Sequence, residues 1–367
     1  MSGTVTFDGA PPPGTINLGI GQPSADMLPV DLIAKASAAF FKAAEPIELN
    51  YGVVAGDERY LSSLASFLSA AYGQPADPGE LFITAGNSQA MDFVSNVFAK
   101  PGDTVFVEEP SYFLAFQIFR DHGLNVVGIP VDDDGMSIEY LQNALKQHKP
   151  AFVYTIPSFN NPGGQTLSLQ RRQQLIALSK QHDFLVVADE VYQLLHFYDA
   201  PPLAFGAMID SDTVISLGSF SKILAPGMRL GWIQASKKLL DRVQASGFIN
   251  SGGSINHFTS HIVRHALDMG LQSAHIEKLR TVYRGRSEAM DDALRQQFDG
   301  LASWHKADGG YFYWLKFAED FDAGPLRRRA PELETGFQAG DVFSSQGKCA
   351  NYVRLSFAHY NEDDIIE

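Results

Sequence analysis

From residue 81 onward the chain alternates two kinds of segment with a regularity that few folds accommodate. Short apolar runs, "LFIT", "TVFVEE", "NVVGIP", "AFVYTI", "FLVVAD", "TVISL" and "RLGWIQ", are rich in β-branched and aromatic residues. The first five are separated by amphipathic patterns of helical period over about residues 87 to 99, 112 to 121, 137 to 147 and 168 to 182. Nearly continuous apolar runs describe strands covered on both faces, and the intervening helices supply the covering layers. The pattern predicts an α/β domain on a mostly parallel sheet flanked by helices, with ligand-binding groups in loops beyond the carboxyl ends of the strands.

After about residue 256 two long helical patterns run to about 297, and "GGYFYWLKF" and "NYVRLSFA" then read as strands of a second, smaller α+β unit with antiparallel pairing. At the other end, Pro11 to Pro13 mark an extended arm. The following "INLGIGQPS" is too rich in Gly and Pro for a regular element, and a first helix follows. The expected division is an arm with part of the small domain over residues 1–45, a large domain over 46–285 and a C-terminal small domain over 286–367. The acidic triplet at 132–134, followed by Gly135, reads as a solvated turn.

With 367 residues the chain is long enough to bury a substantial core. Its 28 Lys and Arg against 42 Asp and Glu give a net charge of −14, which argues against nucleic acid or an anionic membrane as partner. An anionic ligand must therefore be held by a local cationic site. The one cysteine, Cys349, excludes an intramolecular disulfide and a thiolate metal cluster. The N-terminal stretch lacks a basic region followed by an apolar run, and no apolar stretch reaches spanning length, so a cytoplasmic protein without a metal is expected.

The chemistry-bearing residues sit where the strands end. "LFIT" runs into "AGNSQ", placing Gly86, Asn87 and Ser88 at a helix start, where free N–H groups suit a phosphate and where Asn or Ser also serves as an ordinary cap. "TVFVEE" leads to Tyr112, an aromatic able to stack on a planar ligand or to join the core. "AFVYTIP" leads to the polar loop "SFNNPGG", with Asn161 as a donor or simply a turn residue. "FLVVAD" ends on Asp189, a carboxylate at the mouth of a buried sheet that needs a partner, with Tyr192 three residues on. "TVISLG" is followed by "SFSKILAPGMRLG", which offers the hydroxyls of Ser219 and Ser221, the amine of Lys222 and the guanidinium of Arg229. An amine able to lose its proton beside an anion site points to Schiff-base chemistry. No P-loop, GxGxxG, HExxH, CxxC or GxSxG pattern competes with it.

"NNPGG", "ADEVY" and "SFSKILAPGMRLG", in this order and with Lys222 lying 222 − 189 = 33 positions after Asp189, resemble the fold type I pyridoxal-phosphate enzymes. Within these the likeness is to class I/II aminotransferases of the 2-aminoadipate and kynurenine type, and it runs from "GIGQPS" to "NYVRLSFA". The same catalytic domain is carried by some transcription regulators. The resemblance implies pyridoxal 5'-phosphate as cofactor. Lys222 would hold it as a Schiff base and move the substrate α-proton, Asp189 would pair with the pyridine nitrogen, and Asn161 and Tyr192 would bind the phenolic oxygen. Tyr112 would stack on the ring. Gly86, Asn87, Ser88, Ser219, Ser221 and Arg229 would surround the phosphate. Tyr51 would reach the phosphate of a neighbouring subunit, making the active site shared across a homodimer. Arg354 would clamp the substrate α-carboxylate, with Gly21 and Asn161 close to the substrate.

The reaction so implied moves an amino group between an L-amino acid and a 2-oxo acid. Two other readings remain open on the same residues: a β-lyase, and an effector-binding module without catalysis. Against the module, only about 15 residues precede "INLGIG", too few for a winged helix. The loop "FINSGGSINHF", where substrate side-chain contacts are expected, specifies no particular substrate.

Overall fold

The computed structural model describes residues 12, 14–209 and 211–367. Pro11 and Pro13 of the expected arm lie outside the described residues. The strands are β1 (Ile16–Asn17), β2 (Leu81–Thr84), β3 (Thr104–Glu109), β4 (Asn125–Asp132), β5 (Gly135–Met136), β6 (Pro150–Thr155), β7 (Leu185–Asp189), β8 (Val214–Ser219), β9 (Gly231–Ala235), β10 (Ala302–Ser303), β11 (Phe312–Phe317), β12 (Thr335–Gly336), β13 (Gln338–Ala339) and β14 (Tyr352–Ser356). The helices are α1 (Val30–Ala43), α2 (Glu58–Tyr72), α3 (Asn87–Phe98), α4 (Phe113–Asp121), α5 (Ile138–Leu145), α6 (Leu169–His182), α7 (Lys237–Gln244), α8 (Gly247–Gly252), α9 (His257–Asp268), α10 (Leu271–Phe298), α11 (Ala323–Arg329) and α12 (Glu362–Ile366).

Eight strands form the main sheet in the order β2-β9-β8-β7-β6-β3-β4-β5. Pairing is parallel from β8 through β7, β6 and β3 to β4, while β9 runs against both β2 and β8 and β5 turns back on β4. The expected mostly parallel α/β sheet is what forms, and both of its faces are covered, as the continuous apolar runs require. On β3, Val105 and Val107 belong to one core layer and Phe106 to the other, and on β7 Val187 faces opposite to Val186 and Ala188. The turn at 132–134 is an exposed hairpin, Val131 pairing with Met136 and Asp132 with Gly135.

The second sheet has the order β10-β11-β14-β13, all antiparallel. The 28-residue helix α10 precedes it, and the expected division at 285/286 falls inside that continuous helix. Tyr283 of α10 and Tyr311, Phe312 and Leu315 share one hydrophobic core with the main-sheet residues Val107, Tyr154 and Leu217. That shared core fixes β11 and β14 against the strand ends that carry the site.

Several elements differ from the sequence reading. The stretch "FINSGGSINHF", expected as a loop, forms most of α8 and the start of α9, since a Gly- and Ser-rich composition does not by itself prevent a short helix from being held by its neighbours. "INLGIGQPS" does begin with a regular element, since Ile16 and Asn17 pair in parallel with Thr335 and Gly336. A two-residue strand has no readable period, and its partner lies about 320 residues away. Helix α2 escaped the reading of the N-terminal region, although it carries an Asp57 cap accepting from the N–H groups of Arg59 and Tyr60 and a left-handed Gly73 at its end.

Candidate active site

Five parallel-running strand ends, those of β2, β3, β6, β7 and β8, deliver polar residues to one side of the sheet. At the centre stands Asp189, the last residue of β7, with only 4% of its surface exposed. Its Oδ1 accepts from Asn87 Nδ2 at 2.6 Å and its Oδ2 from Tyr154 OH at 2.8 Å. Burial raises its pKa above the usual carboxylate value, against the two hydrogen bonds and the nearby Lys222 charge, which favour the ionised form.

Beyond β8, Lys222 is half-buried and its Nζ donates to Gly21 O at 3.0 Å. Burial and the Arg354 guanidinium draw its pKa down to about 8, with Asp189 pulling the other way. The amine thus loses its proton close to neutral pH. Tyr311 OH donates to the Lys222 carbonyl at 3.1 Å, and the Tyr311 ring lies 5.3 Å from Nζ.

The phosphate candidates gather at the N-terminus of α3. Gly86, with φ of 86°, precedes the helix, and a side chain there would meet Arg229 Nη2 at 3.2 Å. Arg229 donates to Ala85 O at 3.0 Å and is itself left-handed at φ 46°. Ser219 Oγ donates to Ser221 Oγ at 3.0 Å and accepts from the Ser221 N–H at 3.1 Å. Ser88 is exposed at the same helix start. Asn87 is brought here too, but its side chain is turned to Asp189 and to Leu217 O rather than out from the helix end.

At the other end Arg354, in β14, is 4% exposed. Its Nη1 donates to Asn161 Oδ1 and its Nη2 to Gly19 O, both at 2.9 Å, so these hydrogen bonds go to neutral acceptors. Its Nε has no partner among the described residues. The guanidinium lies 4.1 Å from the Phe312 ring centre and 4.8 Å from that of Phe343. Burial lowers its pKa to about 10. A buried cation with a free donor and aromatic walls is suited to an anionic guest. Gly21 belongs to the same wall, since a side chain there would meet Phe312 at 3.0 Å and Arg354 at 3.6 Å.

Tyr112, half-buried, caps α4, and burial raises its pKa to about 12, with Asp189, Arg354 and Arg229 all near enough to act on it. Tyr192 is buried against Tyr311 and Phe312, at ring separations of 5.5 and 6.1 Å. Tyr51 stands apart, 83% exposed on the surface.

The model of the family described as "Aminotransferase class I and II" matches residues 13–365. The chain belongs to that family. This aminotransferase is 32% identical over 96% of its length to 85% of aromatic-amino-acid aminotransferase 1 of Thermococcus litoralis. It is also 32% identical over 97% of its length to 88% of a 2-aminoadipate transaminase of Thermus thermophilus. In structure it matches the α-aminoadipate aminotransferase of Thermus thermophilus, solved with N-(5'-phosphopyridoxyl)-L-leucine, at a TM-score of 0.88 and 29% identity, covering 96% of this chain and 90% of that one.

Pyridoxal phosphate is the cofactor of this aminotransferase, and the donor set fits it. A buried carboxylate, an amine of lowered pKa whose charge acts on it, and the start of α3, whose Asn87 bonds it, come together here, and the buried Asn87 Oδ1 and Arg354 Nε lack partners among the described residues. No helix among the described residues is long and apolar enough to cross a membrane.

Sequence reasoning missed Tyr154 and Tyr311. Tyr154 lies inside the apolar run "AFVYTI", where nothing distinguishes it from core, and Tyr311 sits in "GGYFYW" among other aromatics. It also missed Asn160, whose Nδ2 donates to the buried Glu108 at 2.6 Å.

Proposed function

We propose that in this aminotransferase Lys222 both holds the cofactor and carries the proton that transamination moves, with Arg354 fixing the carboxylate of the amino acid or 2-oxo acid. The observation that carries this reading is that two cations reach the same short backbone segment. Lys222 Nζ meets Gly21 O at 3.0 Å and Arg354 Nη2 meets Gly19 O at 2.9 Å. In an α-amino acid the carbon that loses its proton is bonded directly to the carboxylate, so a proton carrier and a carboxylate clamp must lie side by side.

When bound, the cofactor supplies an electron sink that acidifies the substrate α-carbon. Asp189, held by Asn87 and Tyr154, offers a carboxylate to the pyridine nitrogen. Ser219, Ser221, Arg229 and the N–H groups at Gly86, Asn87 and Ser88 hold the phosphate. Asn161 and Tyr192 take the phenolic oxygen, and Tyr112 covers the ring face. Lys222 Nζ would accept the proton from the substrate α-carbon and hold it for return, its lowered pKa suiting both directions. Arg354 uses a planar fork that suits a carboxylate, and Gly21 leaves room for the substrate.

The exposed Tyr51, with Phe41, Ile47, Leu49, Val53 and Phe258 also exposed, supports a homodimer in which Tyr51 completes the partner's phosphate site, and a cytoplasmic location goes with this reading. The three-part division of the chain goes with this reading. The test is the first half-reaction. Adding amino acids, aromatic ones and 2-aminoadipate among them, to the loaded protein yields pyridoxamine phosphate and the matching 2-oxo acid. Release of ammonia instead identifies elimination, and a spectrum unmoved by every amino acid overturns the reading.

A further inference from the structure

Glu108, the penultimate residue of β3, is a buried carboxylate that neither cofactor nor substrate needs for direct contact. Its Oε1 accepts from Thr155 Oγ1 at 2.7 Å, and its Oε2 from the Ile156 N–H at 2.9 Å and from Asn160 Nδ2 at 2.6 Å. All three donors belong to the stretch that leaves β6 and becomes the polar loop of the site. Desolvating a carboxylate costs several kcal/mol unless it is well bonded, so three converging donors hold this one in a single place. The nearby cation, Arg172, is committed elsewhere: it donates to Leu167 O, Pro157 O and Ser158 Oγ and pairs with Glu190 at 3.7 Å. Burial pushes the Glu108 pKa up to about 7, opposed by those three hydrogen bonds and by Arg172.

What the anchor fixes follows along the chain. Asn160 closes the loop on itself, its N–H donating to Gln165 O at 2.9 Å and its carbonyl accepting from the Gly164 N–H at 2.7 Å. The next residue, Asn161, presents its Oδ1 to Arg354 Nη1 at 2.9 Å. The neighbouring Glu109 points to the opposite side and accepts from the N–H of Ser345 at 2.9 Å, in the segment that leads into β14 and so to Arg354. The end of β3 therefore grips both Asn161 and the approach to Arg354.

We propose that Glu108 is a positioning residue for the substrate carboxylate, acting through Asn160 and Asn161 on the guanidinium of Arg354. The proposal rests on the reading of Arg354 as the carboxylate clamp. Its role is to hold Asn161 Oδ1 where it turns the Arg354 fork to meet a carboxylate.

The test uses two probes on the cofactor-loaded protein, titrated by the change in cofactor absorbance. 2-Methylalanine has the amine and carboxylate of a substrate but no α-hydrogen, so it reports affinity without turnover. tert-Butylamine carries a methyl where 2-methylalanine carries its carboxylate and likewise has no α-hydrogen, so it reports the amine alone. Glu108→Ala weakens 2-methylalanine about tenfold, the scale of one positioned charge-assisted hydrogen bond, and leaves tert-butylamine within about twofold. Glu108→Gln keeps an oxygen for Ile156 and Asn160 and an amide that Thr155 Oγ1 can accept, and restores 2-methylalanine to within about threefold. Asn160→Ala cuts the link one step along and gives the same selective loss, which serves if Glu108→Ala does not fold. Arg354→Lys separates the two ideas. If it leaves 2-methylalanine binding unchanged, the clamp reading itself fails. If it weakens binding while Glu108→Ala and Asn160→Ala do not, or if those two weaken both probes equally, the positioning role is overturned.

Discussion

Lys222 has its pKa drawn to about 8 by burial and by Arg354, and only its unprotonated form attacks an aldehyde. The sign follows directly: the reactive fraction grows as pH rises through about 8 and then saturates. The rate at which cofactor-free protein takes up pyridoxal phosphate, read by stopped-flow absorbance, therefore climbs about tenfold per pH unit on the acid side and levels off above about 8. A midpoint near the ordinary lysine value would contradict the environment described for it. Lys222→Ala lowers the half-reaction rate by at least about 10³-fold, since proton carrier and attachment point are lost together. Borohydride treatment of the native protein, but not of this variant, leaves the cofactor on the peptide containing residue 222.

Gly231, the first residue of β9, lies where β8, β9 and the turn after β2 crowd together. A side chain there would come to 2.6 Å from the carbonyl of Gly218 and 2.9 Å from Cα of Gly86, both backbone atoms. Gly231→Ala accordingly destabilises by about 2 kcal/mol or more and lowers Tm by several degrees, with weakened affinity for pyridoxal phosphate because Gly86 and Arg229 are displaced. Thermal unfolding and a cofactor titration check both parts. The strands of the main sheet other than β5 were legible to within a residue or two because burial on both faces writes itself as a continuous apolar run. Lys222 and Asp189 were legible because strand ends are where polar groups have no packing reason to be. The supports were not: Asn87 meets Asp189 across 102 residues, Tyr311 meets Lys222 across 89 and Glu108 meets Asn160 across 52. No local period encodes such pairs. The strand β1 was hidden for the same reason.

At the scale of the molecule, the homodimer proposed from the exposed Tyr51 gives a prediction that needs no structure of it. On the proposed shared site, neither Tyr51→Ala nor Lys222→Ala homodimers would work well, but each would carry what the other lacks. Dissociated, mixed and reassembled in equal amounts, they form hybrids with one intact site, and total activity recovers to about a quarter of the native value. Recovery no greater than the sum of the parts would confine each site to one chain. A last consequence concerns the making of the protein. Gly19 and Arg354 are joined by a hydrogen bond across 335 residues, and β1 pairs with β12 about 320 residues away. Contacts of such long sequence separation form late, because the loop they close is nearly the whole chain. As the chain leaves the ribosome, the strand ends that grip the cofactor are available long before the clamp for the substrate exists. A nascent chain stalled before residue 354 can be expected to take up its cofactor and yet be blind to amino acids.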